Sequence, residues 1–281
     1  MIEAKEIAEQ MTADAAGRAI QVVQTEFRMQ LVRSWRIPDG AKVLEIGCGQ
    51  GDMTAVLANA VGEIGHVTAI DIADPSYGAP VTLGEATARL KALSLGARID
   101  FRLRCDILDP ACAFPADAFD YVVLAHSSWY CASLDVLRET LLRVRPWAKR
   151  LCYSEWDIEP RSLDQVAHML AVLIQGQVEA YKTDSEANVR TPFSRTRLKG
   201  LLGETGWGIV TEDDVDTSAM QDARWEIDGC LRSSMQEAEE LGLPSRYQAL
   251  LSSQVDVLKG MAARGSYRPL PSYAIVAERT S

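Results

Sequence analysis

Short apolar runs alternate with helix-like segments through the first half of the chain. Val43-Leu-Glu-Ile, Gly65-His-Val-Thr-Ala-Ile-Asp71, Ile99-Asp-Phe-Arg-Leu-Arg-Cys-Asp106, Phe119-Asp-Tyr-Val-Val-Leu-Ala-His126 and Arg150-Leu-Cys-Tyr-Ser-Glu155 have the length and apolar density of strands. Thr82 to Gly96 and Val136 to Pro146 read as helices between them. Such alternation predicts an α/β fold with a parallel sheet under helical cover. Ahead of it, residues 3–35 carry Ile20, Val23, Phe27, Leu31 and Trp35 on one helical stripe, which suits core packing or a lid. Beyond Glu159-Pro160 the pattern predicts a helix to about Lys182, a polar segment from Thr183 to Arg190, and a capped helix starting near Thr191. A strand near Gly208 to Asp213 follows, then helices over 221–241 and 244–264 separated by Gly242-Leu-Pro244. Ser272-Tyr-Ala-Ile-Val-Ala-Glu278 alternates like a final edge strand.

The junction after the first apolar run changes the picture most. Gly47, Gly49 and Gly51 stand at alternate positions, where a backbone without Cβ atoms can turn sharply and approach a ligand at the carboxyl edge of the sheet. A dinucleotide fingerprint would place its third small residue at position 52, which is Asp52, a like charge for a pyrophosphate. Glu45 lies two residues before the first glycine, where it can meet a cation. A positively charged ligand fits these residues better than a phosphate.

The run Glu45-x-Gly47-x-Gly49-x-Gly51 resembles the first motif of the class I S-adenosylmethionine-dependent methyltransferases, whose cofactor carries an ammonium and a sulfonium. The likeness extends in order over residues 35–157. It implies a Rossmann-like sheet, mostly parallel with an antiparallel last strand, and S-adenosylmethionine as cofactor with S-adenosylhomocysteine as product. By the same resemblance Asp71 would meet the ribose hydroxyls, Ile72 would lie against the adenine, and Asp106 with Ile107 would stand near the adenine amine. Asp106 and Asp109 can equally organise a turn before Pro110. The family closes its sheet with an antiparallel hairpin, so the helices inserted between the last two strands are a departure. The expected organisation is an N-terminal helical lid over 1–36, a cofactor-binding core over 37–158, and helical cap insertions with the last two strands over 159–281.

Composition bounds the partners. A chain of 281 residues with 47% hydrophobic content can bury a sizeable core. No apolar run reaches bilayer length, and the N-terminus lacks the features of a signal peptide, so a cytoplasmic location is expected. The six cysteines form no C-x-x-C pair or Cys/His cluster, which predicts reduced, mostly buried thiols and no metal site. A net charge of -10 disfavours a broad phosphate-binding face, and no Asn-Pro-Pro-Tyr or Pro-Cys segment follows the fourth strand. Arg143, Arg145, Lys149 and Arg150 are the densest basic group and read as a solvated face. A small-molecule acceptor is expected, with no nucleic acid and no membrane; a homo-oligomer is compatible with the sequence.

Methyl transfer needs the nucleophile in line with the carbon–sulfur bond, so positioning and desolvation dominate. Candidate groups cluster after the fourth strand and at the end of the fifth. His126 can serve as general base, Glu155 as base or as an orienting carboxylate, and Tyr153 belongs with them. Trp129, Tyr130 and Trp156 concentrate aromatic area suited to a flat acceptor or a cationic one. The long Asp71-to-Gly84 link and Ser127-Ser-Trp-Tyr130 are similar to microbial natural-product methyltransferases, including C-methyltransferases that act on indole C3. O- or N-methylation of another small metabolite fits as well. An NAD-dependent oxidoreductase and a non-catalytic S-adenosylmethionine-binding protein share the glycine site and stay open at this point.

Overall fold

The computed structural model describes residues 2–11 and 15–280. Two helices lead, α1 (Ala4–Met11) and α2 (Ala15–Trp35). The alternating half follows as β1 (Lys42–Ile46), α3 (Asp52–Ala60), β2 (His66–Ile70), α4 (Leu83–Lys91), β3 (Ile99–Arg102), β4 (Phe119–Ala125), α5 (Leu134–Val144) and β5 (Ala148–Trp156). The remainder is α6 (Val166–Glu179), α7 (Arg195–Glu204), β6 (Trp207–Val215), α8 (Asp222–Glu240), α9 (Ser245–Ala263) and β7 (Ser272–Arg279). The strands form one sheet of order β3-β2-β1-β4-β5-β7-β6. Strands β1 to β5 pair in parallel, and β7 runs antiparallel to both its neighbours. This is the Rossmann-like arrangement the sequence predicts.

Strand periodicity explains the two cores. In β4, Tyr121 and Val123 face one cluster while Val122 and Leu124 face the other, and Val43 and Leu44 of β1 divide in the same way. One face packs beneath α2 and α3, with Phe27, Leu31 and Trp35 buried there as the stripe predicts. Ile20 departs from the stripe: it is 37% exposed. Residues Ala171, Ile174 and Val178 of α6 join Ile227 of α8 and Leu251 and Val255 of α9 in a third apolar cluster of their own.

The edge-strand expectation for residues 272–278 is corrected. Strand β7 lies between β5 and β6, and Ser272 through Ala277 are buried on both faces. Alternation cannot reveal this, since Ala and Ser fill a two-sided interior as readily as an edge. Strand β6, with exposed acids among Thr211 to Asp214, takes the edge. Among the described residues no helix is long and apolar enough to cross a membrane, and the six cysteines are free, four of them buried.

Candidate active site

The carboxyl ends of β1, β2, β4 and β5 meet at one edge, and the amino end of the antiparallel β7 joins them, Ser272 pairing with Trp156. Gly47 (φ 75°), Gly49 (φ 52°) and Gly51 (φ 91°) all adopt the left-handed backbone that glycine permits. Their surroundings differ. A Cβ on Gly47 would approach the Ser127 Cβ to 2.7 Å, and one on Gly51 would press on Leu90 and Phe101 at 3.1 and 3.2 Å. A Cβ on Gly49 would meet nothing within 4 Å, so that glycine faces open space while the other two serve packing.

Asp71 leaves β2 beside this loop. One carboxylate oxygen accepts the Gly49 N–H at 2.8 Å and the other accepts the Ala73 N–H at 2.9 Å, so the acid and the loop are built as one unit. Ile72, next in the chain, is 67% exposed, an apolar side chain held on the surface at the rim. Asp106 accepts the Leu108 N–H in an Asx turn, and the Cys105 N–H donates to the Asp71 carbonyl, which draws that loop to the same rim. Ile107 is turned inward, buried with Ile70 and Phe119, and presents little side chain to the cleft. Glu45 is buried and accepts the Thr54 hydroxyl at 2.6 Å. Burial pushes its carboxyl up to about 8, against the opposing effects of Thr54 and the Arg28 charge. An open cradle at Gly49, an oriented carboxylate at Asp71 and an apolar rim at Ile72 have the chemistry to meet a ribose and an adenine, whereas Glu45, enclosed and bonded to Thr54, does not reach the cation the sequence predicts for it.

The second half of the edge is built around Glu155. Its Oε2 accepts the Ser128 hydroxyl at 2.6 Å and the Ser128 and Trp129 N–H groups at 3.2 and 3.3 Å; Oε1 accepts the Trp156 N–H at 3.0 Å. Burial raises this carboxyl to about 7 in spite of those donors. His126 follows β4 in a left-handed conformation, φ 50°, which swings its ring over the edge. Nδ1 lies 3.5 Å from Glu155 Oε1 and Nε2 lies 3.0 Å from the Ser272 hydroxyl. Ser272 in turn donates to the Glu155 carbonyl. Burial, aided by Arg28, pushes the imidazole down to about 3, so the ring is neutral at neutral pH and both nitrogens already face protein groups. Phe27 packs edge-on to the ring at 5.4 Å, as does Trp156 at 4.9 Å.

Two expected contacts lie elsewhere. Tyr153 is fully enclosed, and its hydroxyl donates to Ser128 Oγ at 2.5 Å; it stands behind Glu155 rather than at a reacting atom. Trp129 is buried among Val172, Val189 and Phe193, filling the gap between the sheet and α6, so its indole does not line the cleft. Side chains so large, Tyr153 within β5 and Trp129 just past β4, are drawn inward by the apolar area they can bury. Tyr130, 45% exposed, and the part-buried Trp156 remain at the opening. Burial, and after it the Glu155 charge, raises the Tyr130 hydroxyl.

Several groups at the cleft are not marked in the sequence. Gln21 donates to Asp52 at 2.6 Å, Gln24 donates to Asp222 of α8 at 3.1 Å, and Gln175 of α6 donates to Glu226 at 2.9 Å. The signal in α2 is a polar row, Gln21, Gln24 and Arg28, which has the spacing of a solvated helix face. Among the described residues, no cluster of three or more His, Cys, Asp or Glu side chains is placed to hold a metal ion.

Comparison with known proteins agrees with this geometry. Residues 43–150 match a methyltransferase domain model, and residues 5–79 match a protein-L-isoaspartate(D-aspartate) O-methyltransferase model. The crystal structure of a cyclopropane-fatty-acyl-phospholipid synthase-like protein from Lactobacillus casei is 34% identical, with 98% of each chain covered and a TM-score of 0.86. Methyltransferase phomM' of Diaporthe leptostromiformis is 38% identical over 109 residues, covering 33% of this chain and only 28% of that protein's length. The ubiquinone/menaquinone biosynthesis C-methyltransferase UbiE of Shewanella woodyi is 26% identical over 61% of this chain and 68% of its own. The glycine cradle, the acid at the end of β2, the sheet order and these similarities, that to the Lactobacillus casei protein running end to end, together mean that the chain belongs to the class I S-adenosylmethionine-dependent methyltransferases.

Proposed function

We propose that this methyltransferase acts on a small aromatic metabolite, with C-methylation of an indole at C3 as the leading case. The observation that carries this reading is the acceptor face: His126 flanked by Phe27 and Trp156, with Tyr130 at the opening and the anchored Glu155 behind. The part-open Trp156 and the exposed Tyr130 are flat aromatic surfaces that favour a flat acceptor, with the buried Phe27 backing them. The relative from Shewanella bears a C-methyltransferase name, which supports carbon as the methylated atom. O- or N-methylation of another small metabolite uses the same face.

When bound, S-adenosylmethionine supplies an electrophilic methyl carbon on its sulfonium; Gly49, Asp71, Ile72 and Asp106 are the residues proposed to hold it. The chain's own contribution is to position the acceptor and exclude water. Helix α2 acts as the lid, with Phe27 covering the ring of His126, and α6, α8 and α9 act as the cap, their separate apolar cluster making them a coherent unit over the acceptor side. Glu155 and His126 form the proton-handling pair. Four donors fix Glu155, which faces the Nδ1 side of the imidazole; because the Ser272 hydroxyl donates to the Glu155 carbonyl, Nε2 donates to Ser272 Oγ and Nδ1 is the basic nitrogen of the pair. Tyr153 and Ser128 are positioning residues for the carboxylate.

The test is an assay of the purified protein with S-adenosylmethionine against panels of indoles, phenols and amines, read by mass spectrometry for the gain of one methyl. Methylation of indoles at C3 supports the leading case. Methylation confined to aliphatic acceptors would sink the aromatic reading, and methylation at oxygen or nitrogen alone would replace the carbon assignment.

A further inference from the structure

Arg28 is a cation in the cleft that neither the glycine motif nor the Glu155 cluster uses. It projects from α2 one turn beyond Gln24, and its Nη1 donates back to the Gln24 carbonyl at 2.9 Å and the Gln24 Oε1 at 3.1 Å. Among the described residues its Nε and Nη2 have no protein partner, and no carboxylate lies within ion-pair distance. Its position is nevertheless constrained. Gln21 is tied to Asp52 at the start of α3, Gln24 to Asp222 at the start of α8, and the neighbouring Phe27 to His126 and Trp156. The guanidinium therefore stands where the glycine loop, the acceptor face and the cap converge, and its charge acts on Glu45, His126 and Asp222.

A half-buried guanidinium with free donor edges and no anion is costly unless an anion arrives to meet it. Its planar fork suits a carboxylate, which it can hold through two parallel hydrogen bonds. S-adenosylmethionine carries one carboxylate, on its amino-acid end. With the adenosine proposed against Asp71 and Ile72, the amino-acid end would extend past Gly49 toward α2, whose Gln21 is bonded to Asp52 at the start of α3 and whose Arg28 charge reaches Glu45. We propose that Arg28 binds the carboxylate of the cofactor's amino-acid end and, through Gln24 and Asp222, couples cofactor occupancy to the order of the cap. The proposal rests on the assigned cofactor site. It makes α2 a reporter: Gln24 joins the cofactor's ligand to the first turn of α8 through the Gln24 to Asp222 hydrogen bond.

The experiment compares S-adenosylhomocysteine with 5′-methylthioadenosine, which keeps the adenosine and thioether but lacks the amino-acid end. Calorimetric titration of R28A should show a loss of about tenfold or more for S-adenosylhomocysteine, with methylthioadenosine affinity unchanged and R28K intermediate. The methylthioadenosine arm also verifies that the variant is folded. Hydrogen exchange over residues 216–226 should slow in the wild type with S-adenosylhomocysteine and not with methylthioadenosine, and R28A should erase that difference. Equal losses for both ligands, or an unchanged S-adenosylhomocysteine affinity, would overturn the carboxylate assignment. Equal protection of residues 216–226 by both ligands would overturn the coupling. A wild-type protein that binds neither ligand would remove the cofactor site, a failure distinct from either.

Discussion

The two halves of the sheet edge are built in opposite ways. On the β1–β2 side the ligand-facing surface is mostly backbone: three glycines in left-handed conformations, an acid one residue past a strand, and hydrogen bonds between residues 2 and 22 positions apart. On the β4–β5 side it is made of side chains assembled across the whole chain, with Glu155 bonded 27 residues back to Ser128 and His126 bonded 146 residues ahead to Ser272. The first half has little freedom to vary without losing its ligand. The second can change its acceptor by exchanging side chains on a fixed frame.

Substitutions at the glycines break the comparison most sharply. Gly49→Arg fills open space, so it should abolish S-adenosylhomocysteine binding by about a thousandfold or more while costing about 1–2 kcal/mol in stability for a side chain at positive φ. Gly47→Ala should lower the melting temperature as well as the affinity, since its Cβ collides with Ser127. A Gly49→Arg protein that still binds in calorimetry would move the cofactor away from this loop.

On the acceptor side, His126→Ala and Glu155→Gln should each depress turnover by about a hundredfold, within the span of general acid–base effects, and leave S-adenosylhomocysteine affinity nearly unchanged. Steady-state kinetics beside calorimetry reads both quantities. Normal turnover in both variants would leave positioning alone as the protein's contribution. Asp71→Ala should do the reverse. The loss of charge-assisted hydrogen bonds, about 1.5–3 kcal/mol, weakens cofactor binding by roughly ten- to a hundredfold with turnover at saturation retained.

The buried acids of both halves shape the response to pH. Glu155 sits at about 7 and Glu45 at about 8 in the folded protein, both raised by burial, whereas an unfolded glutamate titrates near about 4.3. Between those values the native state holds protons that the unfolded chain has released, so stability is greatest below about pH 4.3 for these two groups and falls as pH rises towards 8. Glu155→Gln should flatten the decline up to about pH 7 and leave the remainder to Glu45. Melting curves recorded from pH 5 to pH 8 test this, and identical pH dependence in wild type and variant would contradict it. The smallest expected effect is at the rim. Ile72→Ala removes exposed apolar area, about 1 kcal/mol of ligand contact at most, so affinity should drop by a few fold and the melting temperature should not change.

Legibility follows the same division. Each β-strand of the first half lies within a residue or two of its apolar run, apart from β3, which ends at Arg102 because Arg104 turns to a left-handed conformation, φ 55°. The Glu45-to-Gly51 motif and Asp71 were visible because their chemistry is local: a turn needs its glycines in sequence, and an acid at a strand end stays there. Position alone groups Tyr153 and Trp129 with the acceptor face, but burial places both in the interior. Gln24 and Arg28 show in the sequence only as part of a polar helix row and Ser272 and Asp222 show no signal, since the long-range bonds of Gln24 to Asp222 and of His126 to Ser272 form across the cleft.

The class of fold, the glycine loop and the acids beside it are legible along the chain, because hydrophobic periodicity and backbone conformation are properties of neighbouring residues. That β7 is an interior strand, that Glu155 is anchored by four donors behind His126, and that a polar row on α2 faces a cleft emerge from tertiary packing. Those facts depend on which surfaces are excluded from water, and exclusion is set by elements distant in the chain.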